Sequence, residues 1–122
     1  MIPSAPALEI HSELLRNADG KIRYRKLRAG GYEHYNVRIY VDGSPEVLAR
    51  VESVEYELHP SFPEPHRVVR NRDDNFALQL WCWGTFDIQV TFNLRGGGVE
   101  TTNYYLRFVL PEDTGDNYVE VD

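Results

Sequence analysis

Apolar and polar residues alternate along most of this chain. The clearest run is Phe86, Ile88, Val90, Phe92 and Leu94, interleaved with Asp87, Gln89, Thr91 and Asn93. Side chains on a strand point to opposite faces in turn, so this spacing predicts a strand with one buried and one wet face. Arg95-Gly96-Gly97-Gly98 follows as a turn, and Val99 to Leu110, rich in Thr, Tyr, Phe and Val, completes a predicted β-hairpin. The same alternation marks Val37, Ile39 and Val41 up to Asp42-Gly43, then Val54, Tyr56 and Leu58, then Phe76, Leu78 and Leu80. Leu8 to Leu15 and Ile22 to Leu27 are weaker strands separated by the turn Asn17-Ala18-Asp19-Gly20. Leu8 to Arg16 also admits a helical reading, but its polar partners Glu9, His11 and Glu13 favour a strand. Tyr118 to Val121 is either a last short strand or a frayed tail. His59 to Asn75 reads as one long loop marked by Pro60, Pro63 and Pro65, and long loops in compact sandwiches are commonly functional or disordered. Seven to eight short antiparallel strands divided by turn residues predict an all-β, immunoglobulin-like sandwich forming one domain over residues 1–122.

Parity singles out two places. If Phe76, Leu78 and Leu80 face the core, Cys82 joins them, and Trp81 and Trp83 fall on the opposite face. Two indoles there carry a large apolar area, which is either covered by a neighbouring loop or tail or used as a binding wall. If Val54, Tyr56 and Leu58 point inward, His59 and Ser61 leave the strand end on the other side. They are either turn residues or hydrogen-bonding partners for a ligand. Phe62 lies between prolines outside any strand pattern, so it either tucks into the core edge or lines a pocket.

Composition narrows the function classes. A 42% hydrophobic fraction in 122 residues suits one folded core. Thirteen basic against 19 acidic residues give a net charge of −6, which disfavours nucleic acid and favours a basic tail or peptide. The one cysteine, Cys82, excludes an internal disulfide, and the N-terminus lacks the basic and apolar regions of a signal peptide. No apolar run is long enough to span a bilayer, so the expectation is a cytoplasmic, monomeric domain with no membrane partner. His11, His34, His59 and His66 show no metal-ligand spacing, and neither metal nor cofactor is expected. Asp73-Asp74 reads as a solvated turn. There is no nucleotide-binding or nucleophile-elbow motif, and His59 with Ser61 lacks an evident acidic orienter, so no catalytic residues and no enzyme activity are expected. Cys82, with no adjacent cation, reads as buried and structural.

Two stretches carry a family resemblance. Leu58-His59-Pro60-Ser61-Phe62, followed by Pro63 and the basic Arg67, resembles the first signature of YEATS domains. Trp83-Gly84-Thr85-Phe86, leading into a strand, resembles the second. The resemblance covers about Val37 to Leu110 and is nearer to the prokaryotic YEATS-like group. It departs from the histone readers at Cys82, where a glycine is usual, and at the additional Trp81. It implies an immunoglobulin-like sandwich that binds an acylated lysine, of acetyl or crotonyl type, on a peptide or protein. Phe62 and Trp83 would form two aromatic walls, Ser61 would bond the amide, and His59 would orient Ser61 or line the pocket. The Trp83 main-chain N–H would bond the acyl carbonyl. Gly84 would permit close backbone approach, Trp81 would narrow or cap the pocket, and Tyr32 would add an aromatic from the first loop. The alternative is an interaction or structural module of a larger bacterial signalling or defence protein, with a vestigial pocket.

Overall fold

A computed structural model describes residues 8–26, 33–62 and 64–121. Two sheets face one another. The first contains β1 (Glu9–Leu14), β2 (Ile22–Lys26), β3 (Glu33–Asp42), β6 (Leu78–Cys82) and β9 (Tyr118–Glu120); the second contains β4 (Val51–Glu57), β5 (His66–Val69), β7 (Phe86–Leu94) and β8 (Val99–Leu106). β3 organises the first sheet, pairing with β1 and β2 through successive stretches and with β6 from Tyr35↔Cys82 to Ile39↔Leu78. The second sheet runs β5-β4-β7-β8. Val37, Ile39, Val41, Leu80 and Cys82 from one sheet meet Val54, Tyr56, Ile88, Val90 and Leu106 from the other, all buried. The inward residues of each alternating run therefore form the core, at roughly 1.5–3 kcal/mol for each fully buried large aliphatic side chain. The hairpin turn depends on its glycines: Gly96 and Gly97 adopt φ of 90° and 103°, where a side chain would be strained.

The architecture is the predicted immunoglobulin-like sandwich, with differences in detail. Nine strands are present among the described residues, and one pairing is parallel: β9 lies beside β2 with Ile22↔Tyr118. The stretch from His59 to Asn75 is not one loop. It contains β5, registered on β4 from Val54↔Val69 to Glu57↔His66, and a 3-10 turn at Arg72–Asp74. Asp74 of that turn is ion-paired to Arg38 at 3.2 Å. β6 begins at Leu78 rather than Phe76, because Asn75 and Phe76 are left-handed (φ 54° and 52°). That conformation costs a bulky residue about 1–3 kcal/mol and persists only where surroundings fix it. Here the Tyr56 hydroxyl donates to the Phe76 carbonyl at 2.7 Å and the Val41 N–H to the Asn75 carbonyl at 2.9 Å. A short helix α1 (Pro45–Leu48), with Ser44 accepting from the Val47 N–H, carries the chain from β3 to β4. Among the described residues no helix is long and apolar enough to cross a membrane.

Candidate functional site

The β4–β5 and β6–β7 connections emerge at the same end of the sandwich, beside the start of β3. Between them lies a cavity of about 570 Å³ lined by His34, His59, Ser61, Phe62, Trp81, Cys82, Trp83, Gly84, Thr85 and Phe86. Six of the seven residues singled out in the sequence line this one space: His59, Ser61, Phe62, Trp81, Trp83 and Gly84. Tyr32 lies outside the described residues. His34, an ordinary strand-start residue by pattern, also lines the cavity, as do Thr85 and Phe86, which belong to the second signature but carry no site role in the sequence. Cys82 was read correctly as facing the core, but its second role as cavity lining was not foreseen.

Each side chain has a local cause for its position. The turn after Leu58 closes through the Phe62 N–H to the His59 carbonyl at 3.0 Å. Within it the Ser61 main-chain N–H donates to His59 Nδ1 at 3.1 Å, so Nδ1 carries a lone pair. The Ser61 hydroxyl, 2.8 Å from the same nitrogen, must then donate to it. This leaves the Oγ lone pairs as acceptors for an incoming N–H. No carboxylate contacts His59 among the described residues, so the pair lacks the orienter of a nucleophilic site. Phe62 satisfies both of its sequence readings. It packs against the core and on Phe86, ring centroids 5.1 Å apart and tilted 43°, while the ring also lines the cavity.

The two indoles differ. Trp81 is half-buried on the outer face of the first sheet, with the Arg25 guanidinium 4.4 Å and that of Arg23 6.0 Å from its ring centre. Such cation–π contacts contribute about 0.5–2 kcal/mol. Trp83 is 60% exposed, a large apolar area for a solvent-facing position. At Gly84 an added Cβ would meet no atom within 4 Å, so the fold itself does not require glycine there. Cys82 is 2% exposed, and burial pushes its thiol up to about 12, which keeps it protonated and inert near neutrality. A separate cluster, Glu9, His11 and Asp42, brings three potential ligand atoms together on the far part of the same sheet, with His11 3.4 and 3.7 Å from the carboxylates. Its groups lie at the surface and already pair with one another.

Residues 35–107 match the profile of the prokaryotic YEATS domain. This chain belongs to that family. The YEATS fold is also apparent in solved structures. The Yaf9 YEATS domain recognizing H3K122suc peptide superposes with a TM-score of 0.58 at 20% identity, over 80% of this chain and 67% of that one. The Yaf9 YEATS domain bound to H3K27ac gives 0.57 at 20% identity, over 87% and 72%. The yeast AF-9 homolog protein Yaf9 gives 0.57 at 19% identity, over 82% and 67%. No curated protein sequence matches this chain. At these identities the superpositions establish the YEATS sandwich, and the matched span contains every cavity-lining residue except His34.

Proposed function

We propose that this YEATS domain is a reader of acylated lysine, taking a flat neutral acyl-amide into the cavity at the end of the sandwich. The observation that carries the reading is the convergence of both signature stretches on one open space, with Ser61 held as an acceptor at its edge. Acylation removes the lysine charge and leaves a planar amide on an apolar stem. Such a group needs apolar faces for the plane and partners for its N–H and carbonyl once desolvated. Phe62 and Trp83 supply the faces, and Ser61 Oγ accepts the amide N–H. The Trp83 main-chain N–H donates to the carbonyl, and Gly84 leaves room beside it. Trp81 and His34, from the outer face of the first sheet, complete the lining. A volume of about 570 Å³ falls within the usual range for small-ligand sites and accommodates acyl groups longer than acetyl. The Yaf9 domain bound to H3K27ac and the one recognizing H3K122suc peptide support a peptide partner of this kind.

The test is titration with otherwise identical peptides carrying acetyl-, crotonyl- or unmodified lysine, followed by tryptophan fluorescence. The acylated peptides are expected to bind and to change the emission; the unmodified peptide is not. Because Trp83 is largely exposed, Trp83→Ala is expected to shift stability by no more than about 0.5 kcal/mol while abolishing binding. Equal binding of all three peptides, or undiminished binding by Trp83→Ala, would leave only a structural or protein-interaction module.

A further inference from the structure

Beside the cavity, two cations stand where no carboxylate of the described residues meets them. Arg23 and Arg25 project from β2 onto the outer face of the first sheet, and β2–β3 register sets Arg25 opposite His34 of the cavity lining. Both guanidiniums lie near the ring of Trp81, which also lines the cavity. They do not stand out into solvent. Asn36, opposite Trp81 on the neighbouring strand, is only 4% exposed. The Nε atoms of both arginines are buried and have no hydrogen-bond acceptor. Among the described residues, Arg23 reaches only the neutral Asn17 Oδ1, at 3.0 Å, and no carboxylate pairs with either arginine. Arg38, farther along the same face, shows the contrast: Glu13 and Asp74 neutralise it at 3.3 and 3.2 Å.

We propose that Arg25, with Arg23 behind it, binds a carboxylate of the acylated partner, supplied by an Asp or Glu beside the acyl-lysine. This rests on the reader assignment and names the partner as an acidic segment. The Arg25 guanidinium lies 4.4 Å from the Trp81 ring centre, which restrains it, and its terminal N–H groups form a fork that matches a carboxylate. The arginines are not themselves among the cavity-lining residues. A residue flanking the lysine, crossing the cavity mouth, approaches them directly, whereas the end of an acyl chain points into the cavity. The overall charge of −6 favours basic partners at long range, but salt screens that field beyond about 8 Å, and the local arginine pair then decides the register of the bound segment.

The experiment compares acetyl-lysine peptides with Asp/Glu flanks and with Asn/Gln flanks, on the whole chain and on Arg25→Gln and Arg25→Lys. The acidic peptide should bind about five- to tenfold more tightly at low salt, an advantage that shrinks as salt rises. Arg25→Gln should erase that advantage while changing neutral-flank affinity less than about twofold, and Arg25→Lys should restore part of it. Equal affinity for both peptides overturns the proposal, as does an advantage that survives in Arg25→Gln. Collapse of neutral-flank binding in that variant overturns it too, by making Arg25 a mere prop for Trp81. A neutral-flank succinyl-lysine peptide separates the sources of carboxylate: an Arg25-dependent gain there, with none from acidic flanks, refutes the flank assignment. Binding of no acylated peptide at all sinks the reader assignment itself and the inference with it.

Discussion

At the scale of single residues, the site separates groups that the fold needs from groups that it does not. Ser61 is exposed and bonds only within its own turn, so Ser61→Ala should leave thermal stability almost unchanged. It should weaken an acylated peptide by about 1–2 kcal/mol, the scale of one hydrogen bond to a desolvated amide, as calorimetric titration would read. Gly84 gives a sharper separation. Since a Cβ there meets nothing in the protein, Gly84→Ala should melt like the parent and yet, on the proposed function, lose about tenfold or more in affinity as the methyl group enters the ligand's space. A destabilised Gly84→Ala, or one with full affinity, would remove Gly84 from the site. Phe62 belongs to both classes, since its ring packs on Phe86 and on the core edge, and its truncation confounds binding with folding. Trp83 is the cleaner position to substitute.

At the scale of elements, strand β5 is held to β4 by a small electrostatic clasp. His66 Nδ1 lies 2.7 Å from Glu57 Oε1 and Nε2 2.8 Å from Glu55 Oε1, two carboxylates on one face of β4. The bond to Glu57 raises the His66 pKa; desolvation opposes it, and the charges of both glutamates and the bond to Glu55 add to the rise. A raised folded-state value means that the clasp contributes fully below the unfolded histidine value of about 6.5 and fades as pH climbs through the folded one. His66→Gln should therefore lower Tm by about 1–2 °C at pH 6 and by less at pH 9, a modest effect because the pair is exposed. An equal deficit at both pH values would show that protonation is not involved. This strand was hidden in the sequence. Four residues following Pro65 offer too little alternation to stand out, and only pairing with β4 makes them a strand. β7 and β8 were legible because one face of each is continuously apolar and the glycine turn between them is distinctive. Phe76 was placed on the correct buried side but in the wrong backbone state, since its left-handed φ is fixed by Tyr56 from another sheet, a partner that no local pattern reveals. The cavity followed the same rule. Both signature stretches were visible, whereas the contribution of His34 and the stacking of Arg25 on Trp81 arise only from strand register.

At the scale of the whole molecule, the sandwich places its cavity where the two sheets part. The β4–β5 turn belongs to one sheet, and the β6–β7 turn passes from one sheet to the other, so the gap between them reflects the distance at which the sheets pack. Cys82 joins the two: its small side chain is counted in the core and also faces the cavity. Cavity and interior therefore share one wall at this residue. On the proposed function, a residue of another size in place of Cys82 would change the length of acyl group accepted and, through the core, the melting temperature as well. Ligand preference and stability of this chain would then change together.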